Sequence, residues 1–144
     1  MKIAIGCDHA AFEEKNILIN YIQNDLGYEV LDLGCNSLDS VDYPEFGHLV
    51  GNNVVSKNAE KGIVICGSGI GISIAANKIK GVRAALCTSV KHAIMSRKHN
   101  DANVLALGAR FTNPNLLKSI VEAWLKTEFE GGRHLMRINK IENP

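Results

Sequence analysis

Gly62-Ile63-Val64-Ile65-Cys66-Gly67-Ser68-Gly69-Ile70-Gly71-Ile72-Ser73 is the stretch on which the fold of this chain turns. Its opening run, Gly62 to Ile65, is short, apolar and β-branched, the composition of a strand buried on both faces of a parallel sheet. Gly67, Gly69 and Gly71 then let the backbone turn sharply and let amide N–H groups converge on a small anionic group. A helix expected to start near Ile70 or Gly71 adds the positive end of its dipole. Cys66 therefore closes the strand at a point that favours both a bound anion and a thiolate. A cysteine at a strand end also packs well as a small hydrophobe, and it is the glycines beside it that argue for chemistry.

Outward from this segment the same alternation repeats. Apolar runs predict five strands, Lys2 to Gly6, Glu29 to Leu33, Gly62 to Cys66, Arg83 to Cys87 and Asn103 to Leu107, separated by segments of helical period. Phe12, Ile19, Ile22 and Leu26 mark one helical face, which Gly27 ends as a left-handed residue. Phe46, Leu49, Val50, Val54 and Lys57 continue the period after Pro44. Asn113-Pro114 announces a helix carrying Leu117, Ile120, Val121 and Trp124, and a last helix follows Gly131-Gly132. The chain reads as one α/β domain over residues 1–144, a five-stranded parallel sheet between helical layers with a helix at the C-terminus.

Open parallel sheets bind ligands at the carboxyl ends of their strands. The groups assigned there are Asp8 and His9 after the first strand, Cys66 to Gly71 after the third, Cys87-Thr88-Ser89 after the fourth and Arg110 after the fifth. The loop after the second strand adds Asp39, Asp42 and Tyr43. His99-Asn100-Asp101 before the fifth strand and Arg133, His134 and Arg137 on the last helix complete the polar set. Each has a structural reading beside the functional one. Asp8 can cap the first helix, His99 can cap helix carbonyls, and Tyr43 can be a packing residue. Arg133 and Arg137, spaced i and i+4, are either solvated or a phosphate clamp.

Several classes of function are excluded. A dinucleotide fingerprint would need glycine where Ile72 stands, and the Gly-Lys-Ser or Gly-Lys-Thr of a nucleotide-binding loop is absent. A net charge of +1 with scattered Lys and Arg lacks the footprint of a nucleic-acid binder. No apolar run reaches the length of a membrane span, and the first residues enter a strand pattern without a leader, so a cytoplasmic location is expected. The four cysteines, Cys7, Cys35, Cys66 and Cys87, have no CxxC spacing and are expected to stay reduced, with no metal site.

Five separated segments, in order, resemble the ribose-5-phosphate isomerase B family of sugar-phosphate isomerases over essentially the whole chain. They are Gly6-Cys7-Asp8-His9-Ala10, Asp42-Tyr43-Pro44, Ile65 to Lys78, Ser96 to Val104 and Glu130-Gly131-Gly132-Arg133-His134. The resemblance implies a Rossmann-like three-layer α/β/α fold. It also implies an isomerase without cofactor or metal that interconverts ribose 5-phosphate and ribulose 5-phosphate through a cis-enediolate, a step of the pentose phosphate pathway.

Moving a carbonyl between adjacent carbons needs a base for the carbon proton and donors for the oxyanion. Cys66 fits the base. Ser68, where many relatives carry Thr, keeps the relay hydroxyl, and the amides of Gly67, Gly69, Ile70 and Gly71 suit the enediolate. By resemblance, His99 opens the sugar ring with help from Asp8 or Tyr43, Asn100 contacts a sugar hydroxyl, and His9, Arg110, Arg133 and Arg137 grip the phosphate, with His134 a possible addition. The family also implies a homodimer with shared sites, and a pair of dimers as a further step. Within it, allose 6-phosphate and galactose 6-phosphate are rival substrates. A non-catalytic sugar-phosphate sensor is the rival from another class, although a degenerate sensor would be expected to lose Cys66 or His99.

Overall fold

The computed structural model describes residues Met1–Pro144. Five strands, β1 (Lys2–Cys7), β2 (Glu29–Asp32), β3 (Lys61–Cys66), β4 (Ala84–Leu86) and β5 (Val104–Gly108), form one sheet in the order β2-β1-β3-β5-β4. Every pairing is parallel, with Ile5 opposite Ile63 and Ile63 opposite Leu105 across the centre. The helices are α1 (Phe12–Asn20), α2 (Tyr43–Val55), α3 (Ile70–Asn77), α4 (Val90–Asn100), α5 (Pro114–Lys126) and α6 (Arg133–Glu142). No helix is long and apolar enough to cross a membrane.

Strand periodicity of two sends alternate side chains to opposite faces and so builds two cores. Ile3, Ile5, Ile63, Ile65, Leu105 and Leu107 pack against Leu18 of α1 and against Ile120, Val121 and Trp124 of α5. The intervening residues Ala4, Val64 and Ala106 meet Val50 and Val54 of α2 and Ile72 and Ala76 of α3. Each fully buried Ile or Leu stabilises the fold by roughly 1.5–3 kcal/mol, so the central strands hold the helical layers to the sheet. The α/β/α architecture expected from the sequence is the one observed.

Local signals account for most element ends. The Asn113 side chain accepts a hydrogen bond from the Leu116 amide at 2.9 Å, and Pro114 occupies the first turn of α5, where its missing N–H costs nothing. The strands end within one residue of the expected bounds, with Leu33, Arg83, Cys87 and Asn103 falling just outside them, and two details of the helices depart from the sequence reading. The first helical segment is divided: a 3-10 turn over His9–Ala11 precedes α1, and a π turn over Tyr21–Asp25 follows it before Gly27 at φ +74°. Lys57 lies beyond the end of α2 in the left-handed region at φ 65°, outside the helical face assigned to it.

From β1 the chain moves outward to β2 and then returns to the other side of β1 as β3. The connections above the sheet diverge at that point, opening a crevice at the carboxyl ends of β1 and β3.

Candidate active site

At this crevice the Cys66 sulfur accepts a hydrogen bond from the Gly69 amide at 3.1 Å. Gly69 has φ +78°, a conformation that side-chain-bearing residues avoid, and it forms the N-terminal boundary of α3. The sulfur thus sits at the positive end of a helix with an N–H aimed at it, a geometry that stabilises negative charge on sulfur. The Ser68 hydroxyl oxygen accepts from the Ile70 amide at 3.2 Å, which leaves its proton free to be donated elsewhere. Cys7 and Cys87 contrast with this. Burial pushes the Cys7 thiol up to about 12 and raises that of Cys87, so both are held as neutral thiols.

Neighbouring strands bring further groups to the same place. The Asp8 amide donates to the Ile65 carbonyl, tying the exit of β1 to β3, while its carboxylate accepts from the Ala10 amide at 3.0 Å. Asp8 is therefore a cap, as the structural reading held, and it also lines the cleft beside Cys66. The Arg110 amide donates to the Gly67 carbonyl, and the guanidinium lies against Gly67. Tyr43, at the start of α2, lays its ring across Gly71, where an added Cβ would stand 2.8 Å from the phenol oxygen, so only glycine admits this contact. These residues enclose a cleft of about 680 Å³, within the range of small-ligand sites. Asp8 and Tyr43 also border an adjoining recess lined by His9. There the His9 Nδ1 accepts from the Val41 amide at 3.1 Å, so the neutral ring carries its proton on Nε2.

The second half of the predicted set lies elsewhere. The sequence reading grouped His99-Asn100-Asp101 with the carboxyl ends, but α4 begins beyond the end of β4 and runs back along the sheet. Its last residues thus reach the amino edge. There Arg83, just before β4, donates from Nε to the Asn100 carbonyl at 3.0 Å and from Nη2 to the Asp101 carbonyl at 2.9 Å. The length of β5, at roughly 3.3 Å per residue, separates this edge from the Cys66 loop. Beside it, the His134 ring of α6 stacks on that of His99 with centroids 4.4 Å apart and planes 16° from parallel. Arg133 and Arg137 are exposed on the same helix. Asp8, His9, Tyr43, Cys66, Ser68 and Arg110 thus come together, and His99, Asn100, Arg133, His134 and Arg137 form a separate group.

His99, Glu130 and His134 place ligand atoms within 4.8 Å of one another. Near-parallel imidazoles do not direct their in-plane lone pairs at a common point, however, so the arrangement is a stacked pair and not a preformed chelate. Sequence reasoning missed Phe111 and Ile74, which supply apolar wall beside Cys66. Phe111 is 78% exposed, and nothing in its local pattern distinguishes it from a loop hydrophobe. It also missed the Val41 amide that orients His9, a contact across 32 positions.

Known proteins share both the sequence and the shape. Ribose-5-phosphate isomerase B of Escherichia coli strain K12 is 46% identical over 140 residues, covering 97% of this chain and 93% of the relative. The solved ribose-5-phosphate isomerase B of Clostridium thermocellum superposes with a TM-score of 0.97 at 52% identity, covering 99% of this chain and 95% of the other. That of Thermotoga maritima gives 0.96 at 47%, covering 99% and 98%. With the Ribose/Galactose Isomerase family pattern matching residues 3–141 as well, this chain belongs to that family.

Proposed function

We propose that this protein is an aldose–ketose isomerase that interconverts D-ribose 5-phosphate and D-ribulose 5-phosphate in the cytoplasm. The observation that carries the reading is the Cys66 sulfur, buried at the foot of a cleft and receiving the Gly69 amide at the N-terminus of α3. A base held in that way, beside a free hydroxyl proton and a row of loop amides, suits a proton transfer between adjacent carbons.

In this reading the Cys66 thiolate takes the C2 proton of the open-chain aldose. The electron pair left behind moves toward the carbonyl, and the resulting cis-enediolate is held by the amides of the Gly67 to Gly71 loop. Ser68 passes a proton between the two sugar oxygens. The Cys66 thiol then returns its proton to C1, which yields the ketose and regenerates the thiolate. His9 and Arg110 bind the phosphate and so fix the reacting carbons against Cys66.

Ring opening and the rest of the phosphate grip fall to His99, Asn100, Arg133 and Arg137. Because these lie at the opposite edge of the sheet in one chain, a second copy must supply them. The functional unit is then a homodimer with two shared sites, and pairs of dimers are compatible with it. Exposed apolar residues around the cleft, Ile70, Ile74 and Phe111, support such a contact.

Conversion of ribose 5-phosphate by the purified protein in EDTA, with Cys66→Ala and allose 6-phosphate run in parallel, tests the proposal. Turnover of the pentose that vanishes in the variant is expected. Conversion of only the six-carbon sugar would replace the substrate assignment, and turnover of neither would favour a sensor.

A further inference from the structure

Helix α6 divides its side chains by the 3.6-residue period. Arg133 and Arg137 stand exposed on one side, while His134 and Ile138 are each only 6% exposed on another. A side chain so enclosed is poorly placed to join the two arginines on a phosphate. One ring face of His134 is covered by His99, and its Nε2 lies 4.0 Å from a Glu130 carboxylate oxygen. The Glu130 amide in turn donates to the Lys98 carbonyl, so the turn leading into α6 is fastened to α4 next to His99.

Resting on the isomerase reading above, we infer that His134 is a positioning residue that acts through His99 and is not a ligand of the substrate phosphate. The stack closes one face of the His99 imidazole, leaving that ring free to slide in its plane but not to tilt toward α6. Ring opening requires the imidazole nitrogen to meet a sugar oxygen at hydrogen-bond distance, and misplacement of about 1 Å costs on the order of 100-fold in rate. His134 also presents no added charge to its neighbour. Burial first, and then the facing His99 of α4, hold its imidazole below the ordinary range, with Arg133 and Arg137 acting in the same direction and Glu130 opposing. A neutral His134 leaves His99 free to take up a proton without like-charge repulsion across the stack.

The test compares His134→Ala with His134→Phe in steady-state assays on ribose 5-phosphate, and follows the His134 ring by NMR titration in the wild type and in His99→Ala. The expected result is a kcat loss of roughly tenfold or more in the alanine variant with KM within about twofold, most of it restored by phenylalanine, which keeps the flat face. The His134 midpoint should lie below about 6.5 in the wild type and rise when His99 is removed. A raised KM with unchanged kcat would make His134 a phosphate ligand, and equal losses in both variants would make it merely structural. A midpoint that His99→Ala leaves unmoved would deny the stack in solution, including where the alanine variant fails to fold. A wild-type protein inert toward ribose 5-phosphate would overturn the isomerase reading together with this role, whereas normal turnover with an unmoved midpoint overturns only the role of His134.

Discussion

Two individually inactive variants should restore each other. Cys66→Ala removes the proposed base and His99→Asn the ring-opening group, and each alone should lower kcat by roughly 10²–10⁴-fold. In one chain the two residues belong to opposite edges of the sheet, about 16 Å apart if five residues of β5 at ~3.3 Å each lie between them. No side chain spans that distance, so a working site needs Cys66 from one copy and His99 from the other. A mixed dimer then carries one site with both substitutions and one with neither. For co-expressed chains at equal ratio in a twofold-symmetric dimer, half the dimers are mixed and half their sites are intact, so about one quarter of wild-type activity should return. Ribulose 5-phosphate formation by the co-purified mixture, against separately purified variants mixed without exchange, reads this out. Activity that stays at the level of the single variants in demonstrably mixed dimers would refute the shared site.

Replacing Cys66 by serine should lower kcat by on the order of 10²-fold or more while leaving calorimetric binding of inorganic phosphate little changed, because no phosphate ligand is touched; loss of both would mean the loop itself had changed. Arg137→Ala should raise KM about tenfold or more while shifting Tm little, since an exposed side chain is removed but a charge-assisted bond is lost; an unaltered KM removes it from the phosphate site. Arg83→Ala frees the Asn100 and Asp101 carbonyls and breaks the ion pairs to Asp101 and Glu142, so chemical denaturation should show a loss of about 2–3 kcal/mol. The Lys61 ammonium, 5.2 Å over the Trp124 ring, is brought down to about 8 by burial and then by Arg97. Between pH 8 and about 10.5 the unfolded chain binds more protons there than the folded one, so this group adds stability as pH rises and loses it as pH falls through 8. Cys7 and Tyr21, raised to about 12, act oppositely above their ordinary values, so the informative quantity is wild type minus Lys61→Met, which should increase across that window in urea titrations.

What the amino-acid sequence determined by itself is what depends on neighbours along the chain. Short continuous apolar runs located the five strands, and a period of 3.6 located the main helices, because burial on both faces of a strand or on one face of a helix is imprinted on adjacent residues. Gly67, Gly69 and Gly71 after Cys66 foretold a sulfur at a helix N-terminus, since turn, helix start and thiol lie within six positions. Asp8 and Asn113 were legible as caps for the same reason. Tertiary structure alone decided that β5 lies between β3 and β4, because a strand buried on both faces carries no mark of which strands flank it. It also decided the edge of the sheet to which each group belongs. His99 was legible as a polar residue near a helix end, but only the path of α4 back along the sheet carries it away from Cys66. The contact of His99 with His134 joins positions 35 residues apart through the docking of α6 on α4, a packing event that no local pattern specifies.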